Sequence, residues 1–283
     1  MKILSILSTL GAALSIIACS ENSNTDRSTP IHPGDGPHFT IVAHSDPGFS
    51  SFNRKVVVFG IDLYAAPRVE DDKLLHAANL MAQYLDNDED GQPDNQAVLE
   101  SMLAEQAFLV MWDEPEDLDP IIPPPEREGQ DLGNDETNPA YVTQGKWGRF
   151  DAALEEVLHL ITHSGYALVY PDIFGEHMGS QLAQAMDLAR GGKFTTIPNP
   201  YPAEAWYSYD DATCTYDCQI TEYHYWALTS LLGAQENRLE EIEQEWKLNT
   251  HKKVQSRDTA VYRLLTHPSY KFPSVLPDGT YRH

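Results

Sequence analysis

Residues 151–166 read DAALEEVLHLITHSGY, from Asp151 to Tyr166. At about 100° per residue, Glu155, His159, His163 and Glu156 fall at roughly 0°, 40°, 80° and 100° around a helix. Ala153, Leu154, Val157, Leu158, Leu160 and Ile161 cover the other side, from about 140° to 300°. One face can therefore be buried while the other presents only carboxylates and imidazoles. Neither Lys nor Arg stands on that face, although a merely solvated helix face usually draws both. Two carboxylates and two imidazoles within three turns make a candidate face for a divalent cation. A solvated polar face, or a buried structural cluster of His and Glu, is the alternative that the same residues allow.

Before this helix, Phe39–Ala43 and Lys55–Ile61 read as strands, the second carrying the β-branched run VVVFGI. Asp71–Leu85 has Leu74, Leu75, Ala78, Met81, Ala82 and Leu85 at helical spacing. The segment that follows, DNDEDGQPD over Asp86–Asp94, resembles the calcium loops of EF-hand, dockerin and thrombospondin type 3 proteins. Acids stand at loop positions 1, 3, 5 and 9 with a glycine at 6. The alternation turns Asp86, Asp88 and Asp90 inward, Gly91 permits the sharp turn, and Gln92 offers a backbone carbonyl. Asp94 completes the candidate set. The loop 86–97 departs from an EF-hand at Pro93 and at Ala97, where a bidentate Glu would stand; Glu100 is the substitute one turn further on. The expected ion is Ca2+, as a structural clamp between helices.

A helix over Asn95–Gln106 and a strand over Ala107–Trp112 come next. Asp113–Lys146 is a long acidic, Pro-rich connection, placed to form one wall of a cleft. Beyond the central helix, Phe174–Arg190 reads as a helix stopped by Gly191-Gly192. Tyr201–Trp226 is rich in aromatics and includes Tyr209. TEYHYWALTS should be helical to about Gly233, with Glu222 near its start beside His224. Asn237–Trp246 and Arg257–Leu265 are helical with acidic faces. This order predicts an α+β fold: a small mixed sheet with helices, and a mostly helical C-terminal half from about residue 147.

The first residues read as an address. Lys2 supplies positive charge, Ile3–Ile17 is apolar, and Ile16-Ile17-Ala18-Cys19 resembles a bacterial lipobox. The resemblance implies a signal peptide over 1–18, lipidation of Cys19, and an extracytoplasmic, lipid-anchored protein. With Ser20 after the cysteine, it implies the outer membrane in a Gram-negative cell. Residues 19–38 are Ser-, Asn-, Thr-, Pro- and Gly-rich and suit a disordered tether, leaving 39–283 as a single domain. The net charge of −24, from 43 acids and 19 bases, argues against nucleic acid and anionic lipid as partners. The chain has three cysteines; after Cys19, Cys214 and Cys218 remain to pair as a disulfide in an oxidising compartment.

EEVLH, residues 155–159, resembles the HExxH helix of zincin metallopeptidases, with Glu155 where the first His would stand. The resemblance implies Zn2+ held by His159 and Glu155, with Glu156 as general base. His163 is the other candidate for the second ligand, and Glu222 on the later helix is the candidate third. Tyr223, or Tyr225, is the candidate to stabilise an oxyanion. The function implied is a lipid-anchored zinc-dependent hydrolase, peptidase-like, acting on a peptide or other extracytoplasmic substrate. The alternative is a non-catalytic calcium-binding surface lipoprotein whose His/Glu face is structural or a dead remnant.

Overall fold

Phe59 and Gly60 both take positive φ, 48° and 91°. The chain therefore turns back within the run expected as one strand, and a hairpin forms. Strand β2 spans Arg54–Val58 and β3 spans Ile61–Ala65, with Val58 opposite Ile61. A computed structural model describes residues 30–124 and 126–283. Residues 31–283 form one unit; the expected signal segment, Cys19 and most of the expected tether lie outside the described residues. Of that tether, residues 31–38 lie beside the first helix, where Asn79 Nδ2 donates to the Asp35 carbonyl at 2.8 Å.

The sheet is mixed and the fold is α+β. Its order is sequential: β1 (Val42–Ala43), β2, β3, β4 (Phe108–Trp112) and β5 (Gly129–Gly133). The first three pair antiparallel; β4 and β5 run parallel to β3. The apolar run FLVMW suits the interior place of β4. The last strand, β5, lies inside the connection where no strand is expected. Its sequence GQDLG has poor strand propensity, so pairing with β4 sets its conformation.

Helices α1 (Asp71–Leu85) and α2 (Gln96–Ala104) cross from β3 to β4. Helix α3 (Ala153–Ile161) packs against β5, β4, α1 and α7 (Tyr216–Leu232). Its start is pinned by Asp151, 1% exposed, whose Oδ1 accepts from Asn138 N (2.9 Å) and Ala153 N (3.3 Å). Asp151 Oδ2 meets His76 Nε2 of α1 at 2.7 Å. Along the same contact the Tyr84 hydroxyl donates to the Leu154 carbonyl at 2.8 Å. The helix does not run on regularly to Tyr166: Thr162–Tyr166 is a π turn, followed by α4 (Ala167–Val169) and α5 (Pro171–Phe174).

The helix expected over 174–190 begins only at Gln181. Ser180 caps it by accepting from Ala183 N at 3.0 Å, giving α6 (Gln181–Ala189). Helix α7 starts earlier than TEYHYW would indicate and ends at Gly233, φ 87°, as expected. Short helices α8 (Leu239–Ile242), α9 (His251–Arg257) and α10 (Thr259–Leu265) complete the helical half. One hydrophobic cluster joins the sheet, α1, α3, α6 and α7. Among the described residues, no helix is long and apolar enough to cross a membrane.

Candidate metal centre

Where α3 meets α7, Glu155, His159 and Glu222 each offer one donor atom within 4.8 Å of the other two. Glu222 lies in the second turn of α7, which begins at Tyr216, so a first-turn dipole does not account for it. His159 is 6% exposed. Its Nδ1 lies 3.4 Å from Glu156 Oε2. Its Nε2 faces Glu222 Oε2 at 3.8 Å and has no hydrogen-bond partner. Burying a polar nitrogen without a partner is costly. Two donors about 2.1 Å from one tetrahedral ion stand about 3.4 Å apart, so the 3.8 Å gap is close to that of two ligands.

The charges of the group are strongly coupled. Burial pushes the Glu155 carboxyl up; the His159 charge opposes this, and Glu156 and Glu222 add to it. Glu222 is raised by burial in the same way. At His159 burial disfavours the imidazolium, but the hydrogen bond with Glu156 and the charges of Glu222, Glu156 and Glu155 outweigh it and push the pKa up to about 9. Three carboxylates around one imidazole thus collect protons; a divalent cation would relieve the same field.

A second layer fixes these groups. Tyr225 stands near enough to Glu155, and Tyr209 to Glu222, to favour the charged form of each carboxyl. Gln235 Nε2 donates to the Tyr225 hydroxyl at 3.2 Å, and Arg238 Nη1 donates to Gln235 Oε1 at 2.7 Å. The rings of Tyr225 and His159 meet edge to face at 5.5 Å. Gln130 of β5 donates to Glu156 Oε2. Once the ring gives up its second proton to a metal, a carboxylate on Nδ1 selects the tautomer whose Nε2 lone pair is free. Glu156 therefore stands on the other side of His159 from Glu222.

The other candidates part company here. His163 is not in the close group. The 100° count stops applying at Thr162, where the π turn begins, and His163 Nδ1 bonds Glu176 Oε2 instead. Tyr223 does not face the site either: it is fully buried, its ring near Tyr207 and Trp246, and its hydroxyl donates to Asp258 Oδ2 at 2.7 Å. Tyr223 lies about 100° around α7 from Glu222, which turns it into the core. Cys214 and Cys218 form a disulfide at the start of α7. Cys218 lies on the wall of a cleft of about 280 Å³ that His159 and Glu222 share with Glu128, Gln130, His163 and Glu176. Sequence reasoning assigned no role to Tyr209, Gln130 or Glu176. The aromatic run around Tyr209 was its only signal; Gln130 and Glu176 sit in irregular or weakly patterned sequence.

The second carboxylate group is local. Asp86, Asp88 and Asp90 each offer an oxygen within 4.8 Å of the others. Asp86 is fully buried: Oδ1 accepts from Asp90 N (3.1 Å), and Oδ2 from Gly91 N (2.8 Å) and the Tyr281 hydroxyl (2.5 Å). Gly91, φ 87°, makes the turn. Asp94 is not in the close group of side chains. Asp94 Oδ2 accepts from Asn87 N at 2.7 Å, and its carboxyl is raised by burial and by the charges of Asp88 and Asp86. The exposed Gln92 donates its N–H to Asp90 Oδ1 at 2.9 Å. Glu100 lies outside the group too and accepts from Gln96 Nε2 at 3.2 Å.

In comparisons with known proteins, the chain matches no family model, no curated protein and no solved structure.

Proposed function

We propose that the protein is a zinc-dependent hydrolase of the peptidase-like kind, with a structural calcium in the Asp86 loop. The observation that carries this reading is the orphaned His159 Nε2 set against the carboxylates of Glu155 and Glu222. These three residues would hold the metal, and the donor set of one imidazole and two carboxylates suits a first-row divalent ion. When bound, zinc would acidify a water and polarise a carbonyl. Glu156 would orient His159 through Nδ1, with Gln130 donating to it, and the resemblance to the zincin helix gives it the further role of proton acceptor. Tyr225 and Tyr209 stand beside the two carboxylate ligands. The Asp86 loop contributes stability rather than chemistry, since Tyr281 and backbone N–H groups already fix Asp86.

One observation favours the non-catalytic alternative. Glu156 accepts from Gln130, and Tyr225 and Tyr209 stand beside Glu155 and Glu222, as polar neighbours would in a purely structural cluster. Elemental analysis for zinc and the other first-row metals, with peptide hydrolysis measured before and after chelation, separates the two. One zinc per chain and activity restored by zinc support the hydrolase; no metal after zinc-replete expression removes it. The lipid anchor is a further part of the proposal. Cys19→Ala should move the protein from the membrane to the soluble fraction, and a variant that still pellets with membranes defeats the anchor.

A further inference from the structure

In the cleft over His159, acids outnumber the imidazoles that could balance them. Glu128 precedes β5, Glu176 follows α5, and Asp217 stands in the first turn of α7; all three line the cleft with Glu222. No Lys or Arg is among the described residues that line it. Two other hollows differ: the one beside Ile61 sets Arg127 against Asp62, and the one between Leu228 and Phe272 carries Lys271, while the hollow of Asp88, Glu89 and Asp278 is acidic as well. Glu176 is already matched. Its Oε2 holds His163 Nδ1, and its Oε1 accepts from the Thr221 hydroxyl at 2.7 Å. The hydrogen bond to Glu176 raises the pKa of His163, so this pair carries compensating charges.

Glu128 and Asp217 are left over. Glu128 Oε2 lies 4.0 Å from His163 Nε2, and its side chain is 49% exposed. Asp217 is exposed and takes only a neighbour's hydroxyl, that of Thr215 at 2.6 Å. Both line the same cleft as His163, and both raise its pKa. Acidic walls alone would be no site. Here the floor holds an independent sign of a ligand: His159, a residue of the cleft lining, has a buried Nε2 without a hydrogen-bond partner. Gly129 at the β5 edge adds no side chain to obstruct it.

We propose that this cleft recognises a basic side chain, so that the peptide acted on at the His159 centre carries an Arg or Lys beside the reacting bond, its cationic head between Glu128 and Asp217. The inference rests on the peptidase reading and names its substrate class. A volume of about 280 Å³ suits one long side chain rather than a whole peptide. A guanidinium offers five N–H donors to carboxylates, and charge-assisted bonds of that kind carry more discrimination than neutral ones.

The test uses two blocked hexapeptides that differ only at a central residue, Arg in one and citrulline, its uncharged near-isostere, in the other. Their binding is measured by calorimetry on the full chain carrying Glu156→Gln and loaded with zinc, at low ionic strength. The Arg peptide should bind at least about 10-fold tighter. In a chain that also carries Glu128→Gln and Asp217→Asn the ratio should fall below about threefold, with citrulline binding unchanged. Equal binding of the two peptides overturns the proposal, as does a preference that survives the double substitution. A zinc content that drops by one per chain in the double variant overturns it too, because the carboxylates would then be metal ligands. If the parent cleaves no peptide yet keeps the Arg preference, the hydrolase reading fails and the basic subsite stands. If it cleaves peptides without regard to basic residues, the reverse holds.

Discussion

The Asp86 loop and the His159 centre are both gatherings of carboxylates, yet they are built in opposite ways. Asp86, Asp88 and Asp90 come from one short turn, and the backbone N–H groups of Asp90 and Gly91 shape it. The His159 centre needs α3, α7, β5 and the segment bearing Tyr209 to arrive together. In the loop, Asp86 has donors for both oxygens. In the centre, burial leaves an imidazole nitrogen without a partner and pushes two carboxyls up. The contrast teaches that a local cluster can be stabilised by its own backbone, whereas an assembled one keeps an unsatisfied group unless something fills it.

The largest expected effect breaks the centre and spares the loop. His159→Ala should remove zinc and activity together, because a ligand is lost. Glu156→Gln can still accept from Nδ1 but takes no proton, so zinc should remain while kcat falls by about 10²–10⁴. Zinc per chain and turnover, measured side by side, check this; a Glu156→Gln variant that turns over normally removes Glu156 as the base. Calcium should act on the loop alone. At 100 times its Kd it should add about 2.7 kcal/mol and raise Tm by several degrees. Asp88→Ala should abolish that rise without changing zinc content, and an unchanged calcium response would acquit the loop.

A smaller effect sharpens the contrast through pH. The folded pKa of His159 is about 9 against an ordinary 6.5, so the folded state holds this proton more tightly. Its contribution is fully present below about pH 6.5 and is lost as pH rises through about 9. The raised Glu155 carboxyl works in the same direction, since its neutral form is the one favoured by burial. Metal-free protein should therefore melt progressively lower from pH 6.5 to 9, and zinc should flatten the slope. Calorimetry in chelator across that range is the measurement; a flat metal-free profile contradicts the charge balance described here. Smaller again, Tyr225→Phe should weaken zinc binding by about 10- to 100-fold through loss of the hydroxyl beside Glu155. Smallest, Tyr281→Phe should cost about 1 kcal/mol in denaturant melts and leave zinc untouched.

The loop was legible because its information is contiguous: DNDEDG specifies both the turn and the acids. The α1 bounds and the stop at Gly233 were legible for the same reason, apolar spacing in one and a left-handed glycine in the other. Glu155, His159 and Glu222 were found as residues, but nothing in the spacing shows that α3 and α7 cross there. What escaped was set by tertiary pairing. The strand β5 is made by β4, the Phe59-Gly60 turn hides inside an apolar run, and Tyr209 reaches Glu222 from an irregular segment. Tyr223 was misplaced because aromatic character does not tell which face of α7 is the core.

The π turn at Thr162–Tyr166 bears on how this chain tolerates changes of length. A π turn closes its hydrogen bonds over one residue more than an α turn. The segment can therefore be regarded as carrying a spare residue in the middle of a packed helix, with Gly165 lying close against Val98 of α2. Removing one residue there would let the ladder relax to ordinary α spacing, an edit that most buried helices do not survive. The register of everything before Thr162, including Glu155 and His159, would be kept, while His163 and the cleft wall beyond it would be re-indexed. Insertions and deletions at this point thus form a natural dial between a fixed metal end and a variable outer rim.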